Sequence, residues 1–185
     1  MKRRGIVVVL LLLAGLLIAP AAPAAAGPYC GIRWGSLAKS NGGAFGAGDM
    51  FAVRTGRHSC YDRVVIDVEG PFAGYSVGYV DTATATDGTV VQLRGGARLQ
   101  IDARLSTQAD QQGKPYFVYA NDGTVADLRD VTGYRTLRQV SWAGSSDGVS
   151  RVAVGVRARL PFRAFLLPGP REHVTRLVID VAHRW

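Results

Sequence analysis

The chain has 185 residues and a formal net charge of +8, from 22 Lys and Arg residues against 14 Asp and Glu residues. The charged residues are scattered, without the basic run that is typical of nucleic-acid binding, so we predict no nucleic-acid partner. An export signal accounts for about three of these positive charges. Its removal leaves about 160 residues, enough for one domain with a sizeable core.

The first 26 residues have the three parts of a secretory signal peptide. Residues 2–4 are Lys-Arg-Arg, residues 6–18 are apolar, and Ala24-Ala25-Ala26 provides small residues for cleavage. The apolar run is shorter than the roughly 20 residues that span a bilayer. We therefore predict cleavage after Ala26, not a membrane anchor. The mature domain is residues 27–185, which we expect to be secreted and not to span a membrane.

The chain has two cysteines, Cys30 and Cys60, and both lie in the predicted exported part. Lipidation of Cys30 is an alternative, but Pro28 and the bulky Tyr29 precede it, whereas a lipidated cysteine normally follows small residues. Exported compartments permit disulfides, so we predict a Cys30–Cys60 bond. Closing a loop of about 30 residues stabilises a fold by about 3–4 kcal/mol on the chain-entropy estimate.

The apolar residues after the signal repeat with a period of two, which is typical of strands with one buried face. This alternation predicts strands over residues 63–68, 75–79, 98–103, 150–160, 162–167 and 176–182. The strand from Ser150 to Leu160 is predicted to be the longest. Gly95-Gly96 is predicted as a hairpin turn, and residues 125–131 as a short turn or helix.

Strands at this density, without an amphipathic helix of normal length, predict an all-β fold. We expect a β-sandwich of two small sheets, with one disulfide and little helix. One six-residue pattern, Arg-apolar-Val-Ile-Asp-Val, occurs at residues 63–68 and again at 176–181. Its Arg and Asp lie opposite the core face, where they either face solvent or pair with a neighbouring strand. Two pseudo-symmetric sheets would also produce such a repeat of the pattern.

Several longer stretches resemble the actinobacterial AMIN-like domain in combination. They are residues 30–39, 53–63, 74–81, 161–170 and 176–183. The resemblance extends over nearly all of the predicted mature chain. It implies a β-sandwich related to the AMIN domain, which carries cell-wall amidases and secretins to peptidoglycan. It also implies binding to a cell-envelope polysaccharide or glycopeptide.

No motif in the sequence predicts catalysis. The chain lacks a Gly-x-Ser-x-Gly nucleophile elbow, and the histidines, His58, His173 and His183, lack the spacing of zinc ligands. We predict that His183 lies on the surface. The glycine-rich residues 42–48 follow no strand–helix pattern, so we predict a flexible loop and not a phosphate cradle. We therefore predict no enzymatic activity, no cofactor and no metal site.

Two groups of side chains are candidates for ligand binding, because aromatic faces stack on sugars and guanidinium groups pair with carboxylates. The first group surrounds the predicted disulfide: Arg33, Trp34, Arg54, Arg57, His58 and Tyr61. The second lies on the outer face of the 150–160 strand, where small residues leave a flat basic strip: Arg151, Arg157 and Arg159. The alternatives are that Trp34 and Tyr61 are core or lid residues and that the strand arginines form a solvated face.

These features predict a secreted, cell-wall-associated and non-catalytic module that binds peptidoglycan or another anionic wall polymer. The alternative is a protein-interaction module that assembles with an envelope enzyme or receptor. A hydrolase is a third and less supported alternative. The last predicted strand ends just before Trp185, so we expect the module to act alone or through a partner.

Overall fold

Alternating β-branched and polar residues form the strands of this chain, because branched and aromatic side chains fit a pleated, half-buried surface. The computed structural model describes residues 28–42, 48–72, 74–107 and 127–185. The predicted signal peptide, residues 1–26, lies outside the described residues. Residues 43–47, which form most of the predicted glycine-rich loop, also lie outside them.

The described residues form ten strands and one 3₁₀ turn, Tyr29–Gly31. The strands are β1 (Lys39–Asn41), β2 (Asp49–Arg57), β3 (Tyr61–Glu69), β4 (Tyr75–Val80), β5 (Ala97–Ala103), β6 (Ser106–Thr107), β7 (Leu137–Ser146), β8 (Val149–Val156), β9 (Phe162–Pro168) and β10 (Val174–Ala182).

The strands form two sheets packed face to face. The first sheet has the order β1-β4-β5-β8-β7, and each neighbouring pair in it is antiparallel. The second has the order β6-β2-β3-β10-β9; it is antiparallel except for the two-residue β6, which pairs with β2 in parallel. The predicted β-sandwich is confirmed.

The core lies between the inner faces of the two sheets. From the second sheet, β3 and β10 contribute alternate residues that are almost fully buried: Val64, Ile66, Val68, Leu177, Ile179 and Val181. From the first sheet, β5 and β8 contribute Leu99, Ile101, Val152, Val154 and Val156. Burying each such side chain stabilises the fold by about 1.5–3 kcal/mol.

Tyr79 on β4 links the first sheet to the chain that enters β9. Its hydroxyl donates to the carbonyl oxygen of Leu160 (2.7 Å) and accepts the Leu160 N–H (3.1 Å). Burial raises the pKa of Tyr79 to about 12, although the hydrogen bond to Leu160 and the nearby Arg159 act in the opposite direction. The phenol is therefore held in its neutral form.

The N-terminal segment, residues 28–42, contacts both sheets. The predicted disulfide Cys30–Cys60 is confirmed and ties this segment to the start of β3, with the two Cα atoms 6.4 Å apart. Farther along, Gly35 forms a bridge with Phe162 of β9, and β1 pairs with β4. The segment is therefore attached to the first sheet through β1 and to the second sheet through the disulfide and the Gly35–Phe162 bridge.

The longest strand is β7 and not the predicted strand over 150–160, since β8 ends at Val156. Ala158, which the alternation places in the core, is exposed. Residues 157–159 carry the chain from the first sheet toward β9 in the second. The alternation therefore continues beyond the end of the hydrogen-bonded strand.

Gly95-Gly96 does not form a hairpin turn. The chain between β4 and β5 instead folds over the outer face of the first sheet, and we call residues 81–94 the cover segment. Its buried residues Ala83, Ala85 and Val91 pack against Ala143 and Ala153. The contact with β8 is close: a Cβ added at Gly155 would lie 2.0 Å from the carbonyl oxygen of Arg94.

The described part of the predicted turn or helix at 125–131, residues 127–131, contains a bridge and bends. In the four described ranges, the structure contains no helix that could cross a lipid bilayer.

Candidate functional site

The two copies of the Arg-apolar-Val-Ile-Asp-Val pattern lie side by side in the second sheet as β3 and β10. The strands are antiparallel, so the pattern of one runs against that of the other. The repeat of the pattern therefore reflects an approximate two-fold axis within one sheet, and this axis passes between Val65 and Val178. The opposed residues are Val65 with Val178, Arg63 with Asp180, and Asp67 with Arg176.

These residues point outward, because alternate side chains of a strand lie on opposite faces and the intervening residues fill the core. Neighbouring strands add outward residues in the same rows: Arg54 from β2, and Arg163, Phe165 and Leu167 from β9. We call this outer surface of β2, β3, β10 and β9 the arginine face. Its residues are Arg54, Tyr61, Arg63, Val65, Asp67, Arg163, Phe165, Leu167, Arg176, Val178 and Asp180.

Asp180 anchors two arginines of this face. Its carboxylate is fully buried and accepts hydrogen bonds from Arg63 (2.6 and 3.0 Å) and from Arg163 (2.8 Å at Nε), with the Arg163 Nη2 at 2.7 Å. The bond to Asp180 raises the pKa of Arg63 above its ordinary value. A buried carboxylate needs such partners because its desolvation is costly. Both guanidinium groups are therefore fixed in direction by the same carboxylate.

A second buried carboxylate, Asp67, holds Arg54. The Arg54 guanidinium donates two hydrogen bonds to it (2.5 and 2.7 Å), and this side-chain bond raises the pKa of Arg54. Arg176 lies opposite Asp67 in the register but donates instead to the carbonyl oxygen of Pro168 (3.0 and 2.6 Å). The face thus carries four arginines against two aspartates and is positively charged.

Three aromatic rings surround the Arg163 guanidinium. Its central carbon lies 4.8 Å from the ring centre of Phe165 and 5.5 Å from those of Trp34 and Tyr61. Trp34 comes from the disulfide-anchored N-terminal segment, and its Nε1 donates to a backbone carbonyl of that segment, at Tyr29. Such cation–π contacts contribute about 0.5–2 kcal/mol each, depending on desolvation. They add apolar ring surface to a cationic face.

A shallow cleft of about 210 Å³ opens in the middle of the arginine face. Val65 and Val178, which are 8% and 1% exposed, lie at its floor, and arginines stand around it. Its lining residues are Arg54, Thr55, Gly56, His58, Arg63, Val65, Leu167, Arg176 and Val178. The cleft therefore combines an apolar floor with a cationic rim.

The structure brings most of the first predicted group together. Trp34, Tyr61 and Arg54 belong to or border the arginine face, and His58 stacks on the Tyr61 ring, with the ring centres 4.5 Å apart. Two members lie elsewhere. Arg33 is exposed on the N-terminal segment, and Arg57, at the end of β2, lies over the Tyr134 ring at 5.8 Å.

The second predicted group does not form a flat basic strip, because the cover segment lies over the small residues of β8. Arg151 pairs with Asp102 (2.6 Å) and also donates to carbonyls of the cover segment. Arg157 donates to the carbonyl oxygen of His183 (2.8 Å). Arg159 is exposed beyond the end of the strand. The three arginines therefore lie in separate environments.

Sequence reasoning did not assign Arg63, Arg163, Phe165, Arg176 and Asp180 to the site. The signal was present in the repeated Arg-apolar-Val-Ile-Asp-Val pattern, for which pairing with a neighbouring strand was one of the two expectations. The Arg63–Asp180 contact confirms that pairing. Arg163 and Phe165 carry no such signal, because β9 reads Phe-Arg-Ala-Phe-Leu-Leu-Pro without clean alternation.

His183 is buried and not on the surface as predicted. Its Nε2 lies 3.2 Å from Asp62 and its Nδ1 lies 3.2 Å from the carbonyl oxygen of Ser59. Asp62 also accepts hydrogen bonds from the Thr136 N–H and hydroxyl and from the Leu137 N–H. Burial alone would raise the pKa of Asp62, but these bonds outweigh it, and the pKa lies below its usual value.

This network ties β3 to the residues that begin β7 and to the end of β10. Its members are paired with one another in the interior, so its role is structural. The described ranges contain no group of three His, Cys, Asp or Glu side chains placed to hold a metal ion.

Comparison with known families identifies the family to which the chain belongs. The family model of the AMIN-like domain matches residues 48–183. This range includes strands β2 to β10 and all residues of the arginine face; Trp34 and the Cys30–Lys39 stretch of the resemblance lie before it. No curated protein matches the chain. The chain belongs to the AMIN-like domain family, which indicates a cell-envelope-associated binding module.

Proposed function

We propose that this AMIN-like chain is a secreted, non-catalytic module that binds peptidoglycan or another anionic cell-wall polymer through its arginine face. In this proposal residues 1–26 are the signal peptide and residues 27–185 the mature domain. The main support for this proposal is that two buried carboxylates, Asp67 and Asp180, fix the arginines of an exposed surface. A charged surface arranged in this way suits an anionic ligand.

The four arginines retain donors for a ligand. Each uses Nε and Nη2 toward an aspartate or toward the Pro168 carbonyl, while Nη1 has no hydrogen-bond partner in the described part of the chain. A guanidinium that is already held loses little side-chain entropy when it binds a carboxylate or phosphate. The arginine face is thus preorganised for anions.

The size and the rings of the face favour a polymer. Four neighbouring strands spaced about 4.8 Å apart give a surface about 14 Å wide, which exceeds a single small ion. Partly exposed rings of Trp34, Tyr61 and Phe165 border the arginines. Such rings stack on the apolar faces of sugars. A glycan that bears carboxylates matches both the positive charge and the aromatic rings of the arginine face.

The alternative function, a protein-interaction module, would be favoured by a large exposed apolar patch. The strongly exposed large apolar residues of the described ranges are Leu37, Val90 and Trp185. They lie on three separate segments, and apolar residues scattered singly are normal on a protein surface. The arginine face is therefore the better-supported binding surface.

Sedimentation with purified sacculi tests the proposal. We expect the exported protein to sediment with sacculi at low salt and to be released as salt screens the charges. Arg176→Gln removes a face arginine whose hydrogen bonds within the described ranges go to the Pro168 carbonyl, and it should reduce the bound fraction several-fold. Arg135→Gln removes the same charge from an exposed site outside the face and should bind like the wild type. Wild-type protein that stays in the supernatant at low salt would contradict the proposal.

A further inference from the structure

We infer that the cleft of the arginine face holds the carboxylate end of a wall peptide that terminates in a small apolar residue. This inference rests on the proposed function and names the part of the polymer that the cleft recognises. The cleft lies between two rows of charged residues, with Arg63 on one side and Arg176 on the other. Each row faces the same apolar floor.

The dimensions of the cleft limit what it admits. Its volume of about 210 Å³ lies below the roughly 300–1,000 Å³ of sites for drug-sized ligands. Gly56 lines the cleft and adds no side chain to it. A group of one or two small residues fits such a space, whereas a folded chain segment or a large side chain does not.

The floor selects against a ligand that is hydroxylated on every side. Val65 and Val178 present only methyl groups and are almost fully buried, so the apolar surface that a ligand can contact is mainly that of the partly exposed Leu167. A hydroxyl that loses its water against Val65, Val178 or Leu167 would find no hydrogen-bond partner among these three side chains, which is unfavourable. A methyl group would instead bury apolar surface. The ligand therefore has a small apolar side chain next to its charge.

The rim supplies the charge recognition. Arg54, Arg63 and Arg176 line the cleft, and each has an Nη1 without a hydrogen-bond partner in the described part of the chain. Planar guanidinium donors match a carboxylate. A peptide that ends in alanine carries both required groups, since its methyl group and its terminal carboxylate are bonded to the same carbon.

Titration of the exported protein with small ligands, followed by NMR, tests the inference. The probes are N-acetyl-D-Ala-D-Ala, its C-terminal amide, the L,L acid, glucuronate and glycerol phosphate. We expect the D,D acid to shift the amides of Val65 and Val178, and to bind at least tenfold more tightly than its amide, than glucuronate and than glycerol phosphate. Equal affinity for acid and amide would overturn the inference, as would tighter binding of glucuronate or glycerol phosphate. Tighter binding of the L,L acid would also overturn it, because it would point to protein termini.

Two variants separate the roles of rim and floor. Arg176→Gln should weaken the D,D acid about five- to tenfold, while Arg135→Gln should leave its affinity unchanged. Val65→Thr keeps the shape of the floor but replaces a methyl group with a hydroxyl, and should weaken the acid about three- to fivefold. If sacculi bind through Arg176 but the D,D acid does not bind, this inference alone fails. If neither binds, the proposed function fails as well.

Discussion

The substitution Asp180→Asn tests whether a buried carboxylate positions the arginines of the site. The change keeps the shape of the side chain and removes its charge, so a neutral amide faces the guanidinium groups of Arg63 and Arg163. The amide oxygen can accept from one arginine, but the amide N–H group then opposes the donors of the other. The variant should therefore lose both stability and the fixed orientation of these arginines.

The expected loss of stability in Asp180→Asn follows from the burial of this carboxylate. Hydrogen bonds to charged groups contribute about 1.5–3 kcal/mol each, and breaking a fully buried ion pair costs about 3–5 kcal/mol. Asp180 is fully buried, but the side chains of Arg63 and Arg163 are 22% and 31% exposed and regain water when released. We therefore expect Asp180→Asn to lower the free energy of unfolding by about 2–3 kcal/mol.

Urea unfolding followed by tryptophan fluorescence measures this change. Arg163→Gln is the matched control, since it leaves Arg63 bound to Asp180, and it should cost about half as much. In a domain of this size the Asp180→Asn loss corresponds to a melting temperature lower by roughly 5–10 °C. A loss below about 0.5 kcal/mol would refute the reasoning, because water would then serve the arginines as well as the carboxylate does.

Three further predictions concern the scaffold. Asp62→Ala removes the acceptor of the buried N–H groups of Thr136 and Leu137 and should cost about 3–5 kcal/mol in urea unfolding. Because the folded pKa of Asp62 lies below its unfolded value, its contribution should be present above about pH 4 and be lost as pH falls further; wild-type stability that is flat across this range would contradict this. Tyr79 should ionise only near pH 12 in an absorbance titration, so the stability that its neutral form provides is lost as pH rises above about 10. Tyr79→Phe should remove that late step; if the step persists, it belongs to another tyrosine. Gly155→Ala should displace the cover segment, because its Cβ would meet the carbonyl oxygen of Arg94, and should expose amides of residues 83–91 to hydrogen exchange; unchanged protection would show that the contact relaxes without cost.

Strands with one fully apolar face were predictable from the sequence. Strands β3, β4, β5 and β10 lie where period-two alternation predicts them, because alternate residues are buried between the sheets. The disulfide was predictable because the chain has only two cysteines and both lie after the predicted signal peptide. The strands were predictable from local sequence, and the disulfide was predictable from the expected export of the chain.

Strands β2 and β7 were missed because local features interrupt their alternation. A register shift between Met50 and Ala52 disturbs the period in β2. In β7, Gln139 and Ser141 are polar and buried; both donate hydrogen bonds to Asp127, which lies outside the strand. A buried polar residue can be recognised only when its partner is known, and the sequence alone does not provide that partner.

The site was only partly predictable, since it depends on strand register. Arg63 and Asp180 are 117 residues apart in the sequence, and they meet only because β3 and β10 are antiparallel neighbours. The repeated six-residue pattern contained both halves of the site. Which strands are adjacent, and in which register, follows from the tertiary fold. The cover segment over β8 likewise removed a basic strip that the sequence alone predicted.

NMR mapping with solubilised peptidoglycan fragments tests most directly whether the arginine face is the surface that binds the wall. The account predicts that the shifted amides cluster on β2, β3, β9 and β10, with Val65 and Val178 among them. It also predicts that Arg176→Gln, unlike Arg135→Gln, reduces these shifts. Shifts confined to β4, β5 and β8 of the first sheet would contradict the account.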